Sequence, residues 1–288
     1  MGQSVVIAIS RASDKLAGLR FRFASSRTSL RSTRAMTSVQ SAEPVDFFRT
    51  AHGRFCQMLE AGRGHPGLIP ALASQAFDLF EGNVTLQTEG LQVLACHKGC
   101  PACCCIRVTA TATEIFLLAD YIKRVDATEA GAQLDLPGRI AAADGVACGL
   151  ASEPRMAAQC FCPLMAKDSC IIHPVRPLAC RGHASFDKMA CIDAAAGREV
   201  DVPLSEPHAV MRSLVQNAMQ SALRVHGYAW RAYELIHGLH LALQAPDGAQ
   251  RWLKGEDALE GALIGDTDWQ GLAAAFDGLV GGGAGAPA

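Results

Sequence analysis

The chain has 288 residues and a mass of 30.4 kDa, half of it hydrophobic, with a formal net charge of -2; that is enough apolar material for a substantial core and argues against a disordered polymer. No apolar stretch reaches the ~20 residues that a membrane-crossing helix needs, so no membrane association is expected. The first forty residues carry seven basic side chains against one acid, Asp14, leaving -8 on the remainder, a balance that excludes the basic footprint of a nucleic-acid-binding body.

Residues 1–35 are rich in Ser and Arg and poor in acids, the composition of an organellar transit segment. An upstream extension ahead of a start at Met36 fits better, because the low aromatic content and the Ala, Gly and Arg usage match a GC-rich bacterial gene. On either reading this segment is expected to stand outside the fold. Gly2 does not complete a myristoylation signal, since position six is Val6.

Helical spacing predicts the next elements. Phe47, Phe48, Phe55 and Leu59 place a helix over Val45–Leu59, ended by the Gly-rich run "AGRGHPG". Two more helices are expected over Pro70–Phe80 and Leu86–Leu94. Thr111 and Glu114 have capping-box spacing ahead of a stripe formed by Ile115, Leu118, Ala119 and Ile122. The strongest stripe lies in 204–224, where Met211, Leu214, Val215, Ala218, Met219, Ala222 and Leu223 share a face with Val210. Further helices are expected over Tyr228–Leu243 and Asp268–Leu279, before a flexible tail at 280–288. The fold class is mainly α, with N-terminal helices in 36–89, irregular cysteine-rich metal-binding loops in 90–195 and C-terminal helices in 196–279.

Of twelve cysteines, all but Cys56 fall between Cys96 and Cys191. No secretory signal accompanies them, so a cytoplasmic, reducing location is expected, where clustered thiols serve metals more often than disulfides. The first segment, Cys96-His-Lys-Gly-Cys100-Pro-Ala-Cys103-Cys104-Cys105, returns a thiol to one place through short turns that Gly99 and Pro101 permit. Adjacent cysteines point in different directions, so Cys103, Cys104 and Cys105 are not all expected on one ion. The second segment holds Cys160, Cys162, Cys170, Cys180 and Cys191, with Pro163 and Pro177 as punctuation. Arg176 and Arg181 flank Cys180, where cationic groups would offset thiolate charge, although surface or helix-end ion pairs are the plainer use for them.

These motifs resemble the YkgJ-type cysteine-cluster family, described as zinc- or iron-chelating. Cys96, Cys100, Cys103 and Cys104 match its Cys-x3-Cys-x2-Cys-Cys segment. Cys162-Pro163-Leu164, Cys170, Arg176-Pro177 and Cys180-Arg181 match its second run, with Cys191 trailing. The resemblance covers residues 90–195, about a third of the chain. It implies a metal ion as partner, zinc or an iron–sulfur cluster as cofactor, and those eight cysteines as ligands, with Arg176 and Arg181 beside the bound group. Cys105 and Cys160 are additions to the pattern, and His173 stands where the family has Tyr. A flagellin lysine methylase carries the same kind of domain, so a metal-dependent modification enzyme is the alternative function.

Cys96-x3-Cys100-x2-Cys103 also has the spacing of radical-SAM cluster ligands, but Ala102 replaces the usual aromatic and the helical pattern opposes a barrel. His237 and His240, three apart, are expected to be ordinary helix residues, because no H-E-x-x-H motif surrounds them. His97 and His183 adjoin cysteines and could complete a coordination shell. Cys56 and Cys148 are expected to be isolated buried thiols.

Overall fold

The computed structural model describes residues 43–281 apart from Asp168. The extension expected at 1–35 lies outside the described residues, as do positions 282–288 of the expected tail; Val280 and Gly281 close the last helix.

The first helix, α1 (Pro44–Ala61), starts at Pro44, where the missing N–H is an orphan anyway. It buries Phe47, Phe48, Ala51, Phe55 and Leu59 completely, and each of the Phe and Leu side chains contributes about 1.5–3 kcal/mol by leaving water. Helix α2 (Leu68–Gln87) runs unbroken, and the separate helix expected over Leu86–Leu94 does not form. Nothing between Phe80 and Leu86 interrupts the hydrogen-bond ladder, and Asn83 even donates back to the Leu79 carbonyl at 2.8 Å. The chain leaves the helix at Thr88, whose hydroxyl caps the Val84 carbonyl at 2.8 Å, and turns at Gly90 with φ 80°. Leu91 and Val93, which suggested a further turn of helix, are exposed.

Helix α3 (Ala112–Asp126) begins at the predicted capping box of Thr111 and Glu114, and Ile115, Leu118, Ala119 and Ile122 are buried. Short helices α4 (Glu129–Ala132), α5 (Leu136–Ala147) and α6 (Ser152–Ala157) follow, in a stretch whose periodicity gave no expectation. After the cysteine loops, α9 (Glu206–Val225) forms over the strongest stripe, although Val210 is only half-buried.

The helix expected over Tyr228–Leu243 is split. Ala232–Glu234 is a strand that pairs antiparallel with Thr109–Thr111, in the register Thr109↔Glu234 and Thr111↔Ala232. Tyr233 is fully buried there, and its hydroxyl donates to Asp257 at 2.8 Å. Aromatic and β-branched side chains suit that pleat better than a helix. Helix α10 (Leu235–Gln244) begins only after Glu234, whose carboxylate accepts from the His237 N–H at 2.7 Å. Helices α11 (Gly248–Leu253) and α12 (Trp269–Gly281) complete the order.

Helix α9 packs on both α1 and α2, α3 packs on α2 and α10, and α10 packs on α5, so helices from both ends of the chain share one hydrophobic core. The cysteine loops close over one side of that core: Leu164, Ile172 and Leu178, between the cysteines of the second segment, are buried in it. Among the described residues no helix is long and apolar enough to cross a membrane.

Candidate metal centre

Consecutive tight turns carry the first cysteine segment. The Cys100 N–H bonds the His97 carbonyl at 3.1 Å, a turn that uses Gly99 at φ 90°. The Cys104 N–H then bonds the Pro101 carbonyl at 2.8 Å, so thiols reappear every three or four residues. Two clasps fix this segment to the second. Ala95 N–H donates to the Ser185 carbonyl at 3.0 Å while the Cys96 sulfur accepts from the Ser185 N–H at 3.3 Å, and Cys162 N–H donates to the Cys104 carbonyl at 2.7 Å.

Several small elements carry the second segment. A hairpin of two short strands, Met165–Ala166 and Ser169–Cys170, holds Cys170 opposite Met165. A 3-10 turn over His173–Val175 leads to α7 (Leu178–Gly182), which carries Cys180. Cys191 lies on α8 (Lys188–Ala195), whose start is capped by Asp187 accepting from Met189 and Ala190 N–H. Helix α7 is anchored from below by Glu114, a wholly buried carboxylate. One of its oxygens accepts from the Thr111 N–H and hydroxyl, both at 2.8 Å, and the other from the Leu178 N–H at 2.7 Å. Burial raises the Glu114 pKa, while these bonds and nearby Arg212 oppose the rise. Gly182 is required where α7 crosses α9, because a Cβ there would lie 2.5 Å from that of Arg212.

One cavity of about 560 Å³ is the result, and Cys96, Cys100, Cys103, Cys104, Cys162, Cys170, Cys180 and Cys191 all line it. The thiols influence one another in two groups. Burial raises the Cys96 pKa, with Cys103, Cys191 and Cys100 adding to it against a backbone bond from Ser185. Burial likewise raises Cys180, with Cys162, Cys103 and Cys170 adding and Arg176 opposing. Cys103 therefore sits between the groups; its own pKa is raised first by a hydrogen bond with Cys104 and then by burial. Burial pushes Cys162 up to about 11. Without a cation, burial disfavours the thiolate form at Cys96, Cys162 and Cys180, as the Cys104 hydrogen bond and burial do at Cys103. A thiophilic cation can replace several protons at once, so the donor set fits zinc or an iron–sulfur cluster.

The two arginines differ. Arg176 lines the cavity, contacts the His173 ring and opposes the rise in the pKa of Cys103, Cys170 and Cys180. Arg181 also reaches the cavity wall, but its guanidinium is committed elsewhere. It donates to the carbonyls of Arg176 and Pro174 at 2.8 Å, pairs with Glu81 and stacks 4.0 Å from the Phe77 ring centroid. Arg181 braces the loop around Cys180, using the ion pair that was its plainer reading.

Cys160, His97, His173, His183 and His208 also line the cavity. His97 and His183 announce themselves by adjoining cysteines, whereas His208 looks like any residue of a core helix. Cys105 is buried outside the cavity, with its sulfur 3.5 Å from the Ala102 carbonyl. Cys56 is half-buried and 3.4 Å from the His52 ring. Cys148 is neither isolated nor buried: it is exposed and forms a group with Asp144 and His237 whose ligand atoms all lie within 4.8 Å of one another. His237 therefore faces Asp144, while His240 contacts Gln244 at 2.8 Å, so the two histidines do not converge. Among the described residues, no three of the eight cavity sulfurs are grouped so closely. Thiol-rich composition and the Asp144–Cys148–His237 group are both compatible with metal binding. No family model, curated protein or solved structure matches the chain.

Proposed function

We propose that this is a metal-binding protein whose cavity holds an iron–sulfur cluster or zinc through thiolates drawn from both cysteine segments. One observation carries the reading: eight cysteines separated by up to 95 residues of chain, singled out by motif alone, line a single cavity. The resemblance to the YkgJ-type family supports the same ligands. A single zinc ion with bonds of ~2.3 Å needs four sulfurs about 3.8 Å apart, whereas a multi-iron cluster spreads its thiolates wider, and four of the eight cysteines suffice for either. When bound, such a cluster supplies one-electron transfer or redox sensing, and Arg176 offsets its negative charge. Anaerobic purification, metal and sulfide analysis and an absorption spectrum test this. Iron with matching acid-labile sulfide is expected, with zinc alone as the second admissible result.

A second reading, a metal-dependent modification enzyme, is favoured by the cavity's size. At about 560 Å³ it falls in the ~300–1,000 Å³ range of small-molecule pockets. Mass change in candidate protein substrates with the wild-type chain, absent with Cys180→Ser, would establish it.

A further inference from the structure

Asp144 and Cys148 sit four residues apart at the end of α5, so the carboxylate and thiol emerge from one face of adjacent turns. The opposing side chain comes from the first turn of α10, ninety-three residues away: His237 Nδ1 lies 3.0 and 2.9 Å from the two Asp144 oxygens. Glu234 fixes that turn by accepting from the His237 N–H at 2.7 Å, and its other oxygen pairs with Arg155 at 2.8 Å. Cys148, Glu234 and His237 line a cavity of about 170 Å³, walled by the loop around Gly261 and Leu263. Asp144 is 7 % exposed, whereas Cys148 opens to solvent. The group thus has a buried base and an accessible mouth.

We propose that Asp144, Cys148 and His237 form a second metal site, separate from the cysteine cavity, which takes a zinc-class divalent cation through three protein ligands and leaves a fourth position open.

One oxygen, one sulfur and one nitrogen donor suit a borderline-soft ion better than calcium or magnesium, which prefer oxygen throughout. Three protein ligands, two of which line a small cavity, are the pattern of an open zinc position rather than of a closed structural site. Charge favours a cation as well. The Asp144 carboxylate faces His237, and Glu234 lines the same cavity as Cys148 and His237. Binding would release the Cys148 thiol proton. If Nδ1 is the ligating nitrogen, the neutral imidazole also moves its N–H from Nδ1 to Nε2, with no net proton change at the ring.

Full-length protein dialysed against buffered zinc tests the site, with zinc, iron and sulfide measured on the same samples. Cys148→Ala and His237→Gln should each lose about one zinc per chain, or bind it about tenfold or more weakly, while retaining the wild-type metal content of the cysteine cavity. Cys180→Ser should show the opposite loss, which separates failure of this site from failure of the first. Cobalt(II) titration adds a readout, since Cys148→Ala must remove one thiolate-to-cobalt absorption component. Cys148 is exposed, so its substitution does not threaten folding. Unchanged zinc stoichiometry and affinity in both Cys148→Ala and His237→Gln would overturn the proposal.

Discussion

The two sides of this molecule are held by different physics. On one side α1, α2, α3 and α9 bury continuous apolar stripes, with Phe47, Phe55, Leu72, Ile115 and Leu214 all fully buried. On the other, residues 91–108 and 158–187 have few regular elements, and short turns, two backbone clasps and the Glu114 carboxylate hold them. The helical side can be stable by burial alone. The cysteine side gathers thiols around one cavity, and on the proposed reading its order depends on the metal it binds.

The largest expected effect separates the sides by metal removal. Chelation should raise hydrogen exchange across residues 96–191, while Glu206–Val225 retains most of its protection. Equal loss in both regions would show that the metal supports the whole core. Equal retention would show that the loops stand without it.

The next effects sit on the seam between the sides. Glu114→Ala leaves the Thr111 and Leu178 N–H groups without their acceptor and should cost about 1–3 kcal/mol in denaturant unfolding, with weaker metal retention because Leu178 starts the helix that carries Cys180. Gly182→Ala should act similarly by pushing α7 from α9. Cys105→Ala, buried outside the cavity, should lower stability modestly and leave metal content unchanged.

A smaller effect is pH-dependent. Burial lowers the pKa of His52, His183 and His208 from 6.5, with His226, Arg212 and Arg176 respectively adding to it. The unfolded chain therefore binds more protons below about pH 6.5, and stability falls as pH falls through that window, while the full contribution is present above it. Thermal unfolding between pH 7.5 and 5.5 should show this decline, with a shallower slope in His52→Gln, which lies far from the cavity in sequence.

Much of the helical side is legible in the sequence, because burial imposes a 3.6-residue period that Met211 to Leu223 display directly. The pattern misleads where apolar residues serve another end: Leu91 and Val93 lie exposed in a loop, and Tyr233 fills a strand that only its partner Thr109–Thr111 explains. On the cysteine side, local spacing marks Cys96 to Cys104 and Cys162 to Cys180 as one kind of chemistry. It carries no signal for His208, which reaches the cavity from a core helix. Asp144 and His237 are equally silent, since their meeting depends on how α5 packs against α10.

The most direct test of the central claim is metal content per chain in anaerobically purified wild-type protein beside Cys100→Ser and Cys180→Ser, one from each cysteine segment. Stoichiometric metal in the wild type and its loss in both variants is the predicted result. Full metal content in both variants, or a wild-type chain whose cavity thiols bind neither iron nor zinc, would contradict it.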